Sequence, residues 1–288
     1  MPRLGEIVNG IRLGVHTYSF RDLPRKPGSD EVDAIIQAMT ECDVRECELF
    51  APQIEPQYGG SHAAGHRASM STMSPQMMRR ELRKWRLRTS LDHFRVIGNT
   101  FKKAGILVYA YNYSPNSSFT QEEIDRGFGM ARALGAEIIT ASTTLDIAKR
   151  IVPFAERHQM VVAMHGQSRT GKPNEVATPD SFAAALKMSK YFKVSLDIGH
   201  FTAGNFDAVS YIRQHHADIA SLRLKDRRKK EGDDVPWGQG DTPIREVLQL
   251  LTREGWPIRA YVDYEYRGRS DPVEEVKTCF AYARQALA

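Results

Sequence analysis

The amino-acid sequence predicts a single-domain α/β protein with the (β/α)8 TIM-barrel fold. From residue 11 onward, short apolar runs alternate with longer amphipathic stretches up to the C-terminus, a pattern typical of βα units with parallel strands. Eight strands and eight helices can be counted, which suits a closed barrel. The 288 residues suffice for one barrel and no linker or low-complexity tract interrupts them, so one domain spanning 1–288 is preferred to two small ones.

Each element is predicted from its local pattern. The strands, rich in apolar and β-branched residues, are predicted at 11–16, 44–50, 105–112, 136–141, 160–165, 193–197, 218–224 and 259–265. The helices are predicted at 29–42, 75–103, 120–134, 144–158, 178–190, 206–216, 242–254 and 272–287. Four helix starts place a capping side chain before a proline, at Ser74, Thr178, Thr242 and Asp271.

One long irregular stretch, 51–73, follows the second strand and is rich in Gly, Ser and His. In a barrel, the loops that follow the strands lie over the catalytic mouth. The stretch is therefore predicted to lie over that mouth, either as a lid or as an insertion without a role, and the sequence leaves both open.

Composition excludes several classes of protein. Basic residues number 40 and acidic residues 35, for a formal charge of +5. The basic runs at 79–88 and 227–230 lack interleaved aromatics, so solvated faces are preferred to a nucleic-acid partner. Three cysteines without a CxxC pair argue against a disulfide framework. No apolar run is long enough to cross a membrane. A cytoplasmic location is expected, although a removed leader would leave no trace, and a homo-oligomer is compatible with the sequence.

The strand ends carry the functional signal. The segment 193–205 is predicted to be a buried strand, the sixth, that ends in a polar loop. Asp197 at the end of this strand is a carboxylate at a position where an apolar residue would cost less free energy, which indicates either a helix cap or a site. Most other strand ends are also polar or ionisable, and the carboxyl ends of barrel strands meet at one mouth. We therefore expect a small-molecule site there, surrounded by His16, Glu48, His165, Asp197, His200, Arg223, Asp263 and Glu265.

Histidine and carboxylate ligands suit Mn²⁺, Mg²⁺ or Zn²⁺. Candidate ligands are His165, Asp197 and Asp263, and His200 or Glu265 could serve as a further ligand. Arg223 opposes a cation because a guanidinium cannot be deprotonated. It is expected either to turn toward Asp197 or Glu265 or to bind an anionic substrate group, and metal binding is expected to be weak.

A second binding element is predicted in the loop 227–241, where Trp237-Gly-Gln-Gly-Asp follows a basic run. Glycines next to an aromatic residue permit close approach of the backbone to a ligand. The loop is expected to border the pocket with Lys229 or Trp237 reaching in, against the alternative of a solvated turn.

Motifs along nearly the whole chain carry a family resemblance, at 13–22, 48–52, 83–87, 109–114, 196–205, 224–227 and 238–244. With these motifs the sequence resembles the sugar phosphate isomerase/epimerase group of xylose-isomerase-like TIM barrels. The resemblance implies one divalent metal, held by Glu, Asp, His and Glu at the ends of strands five to eight. These positions fall on His165, Asp197, Arg223 and Asp263, so only the aspartate is unchanged. His200 resembles the family's substrate-contacting histidine.

The resemblance implies an isomerase, an epimerase or a related lyase that acts on a sugar, keto-sugar or sugar acid. Such enzymes remove a proton next to a carbonyl, which requires a base, an acid and an electrophile. The candidate catalytic residues are His165, Asp263 and Glu265. The alternative is an altered barrel that binds a sugar without isomerising it. A nuclease on the same barrel is disfavoured, because the family's nucleases hold three metals with more histidines and carboxylates than this mouth supplies.

Overall fold

Eight parallel strands close into a barrel in a computed structural model that describes residues 7–24, 30–58 and 73–288. The strands are β1 (Ile7–Val8), β2 (Ile11–His16), β3 (Glu46–Phe50), β4 (Leu107–Asn112), β5 (Ile138–Ala141), β6 (Val161–His165), β7 (Phe192–Asp197), β8 (Ile219–Leu224) and β9 (Arg259–Val262). Each of β2 to β8 pairs with the next strand in sequence, and β9 returns to pair with β2. Short β1 adds an antiparallel hairpin outside the barrel.

Helices follow the strands around the outside. They are α1 (Val32–Glu41), α2 (Pro75–Arg88), α3 (Leu91–Lys103), α4 (Gln121–Leu134), α5 (Leu145–His158), α6 (Pro179–Leu186), α7 (Ile198–Ala203), α8 (Ala208–His215), α9 (Ile244–Glu254) and α10 (Pro272–Leu287). Among the described residues, no helix is long and apolar enough to cross a membrane. The architecture confirms the predicted (β/α)8 barrel.

Three predictions of local structure are wrong for reasons of capping. Thr242 does not cap α9, because its hydroxyl oxygen accepts from the Arg227 amide instead. The helix predicted at 75–103 is two helices, because Thr89 is extended and the Ser90 side chain accepts from the Asp92 amide to begin α3. The stretch after β7, predicted as a polar loop, is the short helix α7, because the Asp197 side chain accepts from the His200 amide. Of the irregular stretch 51–73, residues 51–53 form a 3-10 turn, and 59–72 lie outside the described residues.

The N-terminal end of the barrel is filled by a polar and aromatic cluster. The Glu46 carboxylate accepts from Tyr261 Oη at 2.8 Å and from Arg259 Nε at 2.9 Å. Gly14 on β2 makes this packing possible, since a Cβ there would lie 2.5 Å from the Tyr261 ring. Arg259, Tyr261 and Asp263 are two residues apart along the chain, so their side chains lie on the same inner face of the barrel. Arg259 and Tyr261 fill its N-terminal end, and Asp263 lies at the C-terminal mouth.

Candidate active site

A buried ammonium group forms the centre of the mouth. Lys225 follows β8 and has only 2% of its side chain exposed. Its Nζ lies 3.0 Å from Asp197 Oδ2, 3.1 Å from Asp263 Oδ2 and 2.7 Å from Glu265 Oε1. Burial alone would lower the pKa of Lys225, but the three carboxylates outweigh it and raise that pKa well above its usual value. The group is therefore a fixed positive charge that ties three carboxylates together.

A second buried ion pair lies beside the first. Both Arg223 Nε and Nη2 donate to the Glu48 carboxylate, and Arg223 Nη1 lies 3.7 Å from Asp263 Oδ2. Thr140 and Asn112 also donate to Glu48. Burial opposes ionisation of Glu48, but Arg223 outweighs it and lowers the pKa of Glu48 to about 2. Arg223 thus turns to Glu48 and Asp263, not to Asp197 or Glu265 as the sequence suggested.

Three histidines contact the carboxylates of this network. His16 Nδ1 lies 3.1 Å from Asp263 Oδ1, and His165 Nε2 lies 3.3 Å from Asp197 Oδ2. His200 Nε2 lies 3.7 Å from the same Asp197 oxygen. Burial is the main cause that lowers the pKa values of His165 and His200, so both rings are neutral at pH 7. The mouth therefore combines fixed charges with the two neutral imidazoles of His165 and His200.

The order of residues along the chain explains this geometry. Arg223 and Lys225 are two positions apart, as are Asp263 and Glu265, so each pair follows one inner face. Asp197 has both of the roles that the sequence suggested, a helix cap and a site residue. Its Oδ1 atom caps α7, and its Oδ2 atom faces the charged network. Gly199 leaves room for the lysine, since a Cβ there would lie 2.3 Å from Lys225 Cγ.

Three residues of the mouth are of the types that bind a divalent ion. His165, Asp197 and His200 offer ligand atoms within 4.8 Å of one another. However, Asp197 Oδ2 already faces the Lys225 ammonium at 3.0 Å, and an ion on that oxygen would lie about 4.5 Å from Nζ, a repulsion on the order of 7 kcal/mol at an effective dielectric of about 20. The donor types suit a metal, but their arrangement does not fit one.

The hydrogen bond of His200 disagrees with a metal as well, whereas the contacts of His165 are compatible with either tautomer. Arg227 Nη1 donates to His200 Nδ1 at 2.7 Å, so in the neutral ring the proton is on Nε2, the nitrogen that faces Asp197. His165 Nδ1 is contacted by Ser142 Oγ at 2.9 Å and by the Gln167 amide nitrogen at 3.3 Å. A ligating histidine instead donates from its second nitrogen to an acceptor, which a guanidinium cannot be.

The structure brings eight of the residues singled out from sequence into one network joined through Lys225, namely His16, Glu48, His165, Asp197, His200, Arg223, Asp263 and Glu265. The other two lie apart from it in the contacts of the described residues. Lys229 is exposed, and Trp237 packs edge-on against Tyr282 of α10.

The glycines of the 227–241 loop approach a side chain of the protein itself. The amides of Gly238 and Gly240 donate to Asp226 Oδ2 at 2.7 and 3.0 Å. A Cβ on Gly240 would lie 2.2 Å from Asp226 Oδ1. The small size of Gly240 is thus needed to close the loop on Asp226, whereas the sequence suggested that the loop glycines allow a ligand to approach.

Sequence reasoning missed the roles of two residues. Lys225 was visible as a strand-end residue on the face of Arg223, and that alternation was the available signal. Asp234 gave no signal, because it lies in a loop whose path depends on the tertiary fold. Its Oδ1 is 3.7 Å from Arg227 Nε. Burial raises the pKa of Asp234 to about 6, with Glu265 adding to the effect against the attraction of Lys225.

Comparisons with known proteins agree with this architecture. The family model described as xylose isomerase-like TIM barrel matches residues 114–285. Similar solved structures include a probable 3-DHS dehydratase from Bacillus anthracis, with a TM-score of 0.65 and 13% identity over 94% of this chain and 99% of that one. A D-psicose 3-epimerase from Clostridium cellulolyticum H10 has a TM-score of 0.64 and 12% sequence identity, over 96% of this chain and 99% of that one. A sugar phosphate isomerase/epimerase from Parabacteroides distasonis has a TM-score of 0.60 and 15% sequence identity, over 95% of this chain and 93% of that one. No curated protein matches by sequence.

Proposed function

The chain belongs to the xylose isomerase-like TIM barrel family, and from the charged network at its mouth we propose that it moves a proton next to the carbonyl of a sugar, keto-sugar or sugar acid. One observation carries this proposal. Glu265, with 25% of its side chain exposed, lies 2.7 Å from the buried ammonium of Lys225. A carboxylate base next to a fixed cation is the pairing that enolisation requires. Solved structures of similar fold are named as epimerases and as a probable dehydratase, which supports the same class of substrate.

Accessibility separates the roles of the carboxylates. Asp197 and Asp263 have no exposed side-chain surface, and their oxygens face histidines and Lys225. Glu265 is the carboxylate of this trio that solvent reaches, so we assign it the role of base. Asp263 then orients Lys225 and His16, although the sequence suggested a direct catalytic role for it.

The histidines of the mouth differ in how far they are able to hold substrate hydroxyls. His16 Nε2 is buried and has no hydrogen-bond partner among the described residues, so it is available to hydrogen-bond a hydroxyl group. His200 keeps 13% of its side chain exposed and borders the same Asp197 oxygen as His165. In this proposal His16 and His200 position the substrate while the proton moves to and from Glu265. His165 instead orients Asp197, because both of its ring nitrogens already contact protein groups.

Solvent deuterium exchange tests the proposal, because it reports removal of the proton whatever the final product is. Candidate sugars, keto-sugars and sugar acids are incubated with the protein in D2O, and loss of the proton next to the carbonyl is followed by NMR. Glu265→Gln is expected to slow exchange by about 10²- to 10⁴-fold, the usual contribution of a positioned base. The control Glu254→Gln, on the exposed end of α9, should exchange like the wild type. Equal rates in both variants would contradict the assignment.

A ligand-binding barrel without turnover remains the alternative. The observation that favours it is that both buried cations, Arg223 and Lys225, already contact carboxylates. Titration calorimetry with the same compounds distinguishes the two functions, because a compound that binds in D2O and never exchanges its proton identifies a binding protein.

A further inference from the structure

The three carboxylates around Lys225 form a shell that normally surrounds a cation. Asp197, Asp263 and Glu265 come from the ends of two separate strands, β7 and β9, and their oxygens converge on one point. Carboxylate oxygens that converge in a buried site require a positive partner. That partner is supplied by the protein, because Nζ lies within 3.1 Å of all three.

The neighbouring residues are arranged for this ammonium and against a metal. Arg227 donates to His200 Nδ1, which leaves the proton of the neutral ring on the side of Asp197. Arg223 places a second fixed positive charge 3.7 Å from Asp263 Oδ2. Both guanidinium groups are permanent donors. An ion placed among these carboxylates would face three positive side chains.

The backbone also makes room for the lysine. Gly199 lies in the first turn of α7, just after Asp197, and a Cβ there would lie 2.3 Å from Lys225 Cγ and 2.8 Å from Lys225 O. The stem of the lysine therefore passes through space that only glycine leaves free. This local fit shows that the lysine is an integral part of the mouth and not a surface side chain folded inward.

We propose that the ε-ammonium group of Lys225 is the resident cation of this site and takes the place of a divalent metal ion. Its catalytic consequence rests on the proposed function. The substrate carbonyl oxygen replaces Glu265 as a partner of Nζ, and the released carboxylate takes the proton from the adjacent carbon. The C–H electron pair forms the C=C bond, the carbonyl π pair moves to oxygen, and the resulting enediolate oxygen is stabilised by Nζ. Protonated Glu265 then returns the proton to carbon.

The wild-type protein provides the first test. It is purified without added metal, dialysed against EDTA and then titrated with Zn²⁺ and Mn²⁺ by calorimetry, with metal content measured by mass spectrometry. We expect less than one tenth of an equivalent of metal as purified and no change in Tm between EDTA and added metal. One equivalent of metal that survives dialysis, or a Tm that falls by more than about 3 °C in EDTA, would overturn the proposal.

Removing the ammonium provides the second test. Lys225→Met keeps the length of the stem and frees the three carboxylates, and we expect its affinity for Zn²⁺ or Mn²⁺ to rise at least tenfold over the wild type. Arg223→His alone is expected to give a smaller rise, because Lys225 stays in place. The control Lys102→Met, exposed on α3, should leave metal affinity unchanged. A Lys225→Met protein that is folded by circular dichroism and binds metal no better than the control contradicts the proposal.

The two tests stay separate from the test of enzymatic function. Tight metal in a wild type that exchanges deuterium would refute the resident ammonium and leave the proton-transfer function intact. A metal-free wild type that exchanges no proton with any ligand would refute the function and leave the ammonium assignment intact. If Lys225→Met does not fold, the metal content of the wild type and its Tm with and without EDTA still show whether the site holds a metal ion or the ammonium group.

Discussion

Replacing Glu48 by glutamine probes the buried ion pair beneath the mouth. Glu48 has no exposed side-chain surface, and Arg223 has 4% exposed, so neither charge is screened by solvent. The pKa of Glu48 is about 2 in the fold, against a usual value of 4.5. By linkage, that difference corresponds to about 3 kcal/mol of stability at pH 7. Glu48→Gln should therefore reduce the free energy of unfolding by about this amount.

The sign of the pH dependence follows from a lowered carboxyl pKa. The stabilisation is fully present above the unfolded pKa of about 4.5 and is lost as pH falls toward 2. The difference between wild type and Glu48→Gln should thus shrink from about 3 kcal/mol at pH 7 to about 2 kcal/mol at pH 3.5. For a chain of this size, 3 kcal/mol corresponds to a Tm decrease of about 5 °C.

Urea unfolding at several pH values, followed by circular dichroism, measures this effect. The matched control is Asp146→Asn, which removes a carboxylate from the exposed pair with Lys149 and should cost less than about 0.5 kcal/mol. An equal loss in both variants, or a Glu48→Gln effect that does not change with pH, would refute the reasoning about the buried pair.

Three further predictions follow from individual contacts. Asp234→Asn should stabilise the protein by about 3 kcal/mol at pH 8 and by less than about 1 kcal/mol near pH 4, because the fold raises the pKa of Asp234 to about 6 and so disfavours the charged form; urea unfolding at both pH values checks it. Gly199→Ala should destabilise by about 1–3 kcal/mol through overlap with Lys225, whereas an unchanged urea midpoint would contradict the close fit. Trp237→Ala should cost about 2 kcal/mol, because the half-buried indole packs on Tyr282. A more than tenfold loss of sugar affinity in Trp237→Ala, measured by calorimetry, would also support the expected role of the 227–241 loop at the pocket.

Strand alternation made much of the mouth predictable from sequence. The spacing of Arg223 with Lys225 and of Asp263 with Glu265 fixes which side chains share the inner face, whatever the exact strand ends. Parallel βα units then bring the carboxyl ends of all strands to one mouth. These two rules suffice to collect the ionisable residues of the site.

The pairing of charges could not be predicted in the same way. Arg223 on β8 contacts Glu48 on β3, across the barrel interior, and the distance between such positions depends on the register of every strand between them. The sequence offered Asp197 and Glu265 as partners because they were near in the predicted order of strands. The break between α2 and α3 was missed because the capping role of Ser90 depends on an extended Thr89.

Proton exchange by metal-free protein tests the central claim most directly. Wild-type protein dialysed against EDTA is incubated in D2O with a sugar or sugar acid that it binds, and the C–H group next to the carbonyl is followed by NMR. The resident ammonium of Lys225 and the base Glu265 predict exchange that persists without metal and falls by at least about a hundredfold in Glu265→Gln. Exchange that appears only after a divalent ion is added, or that is equal in Glu265→Gln and wild type, would contradict the account.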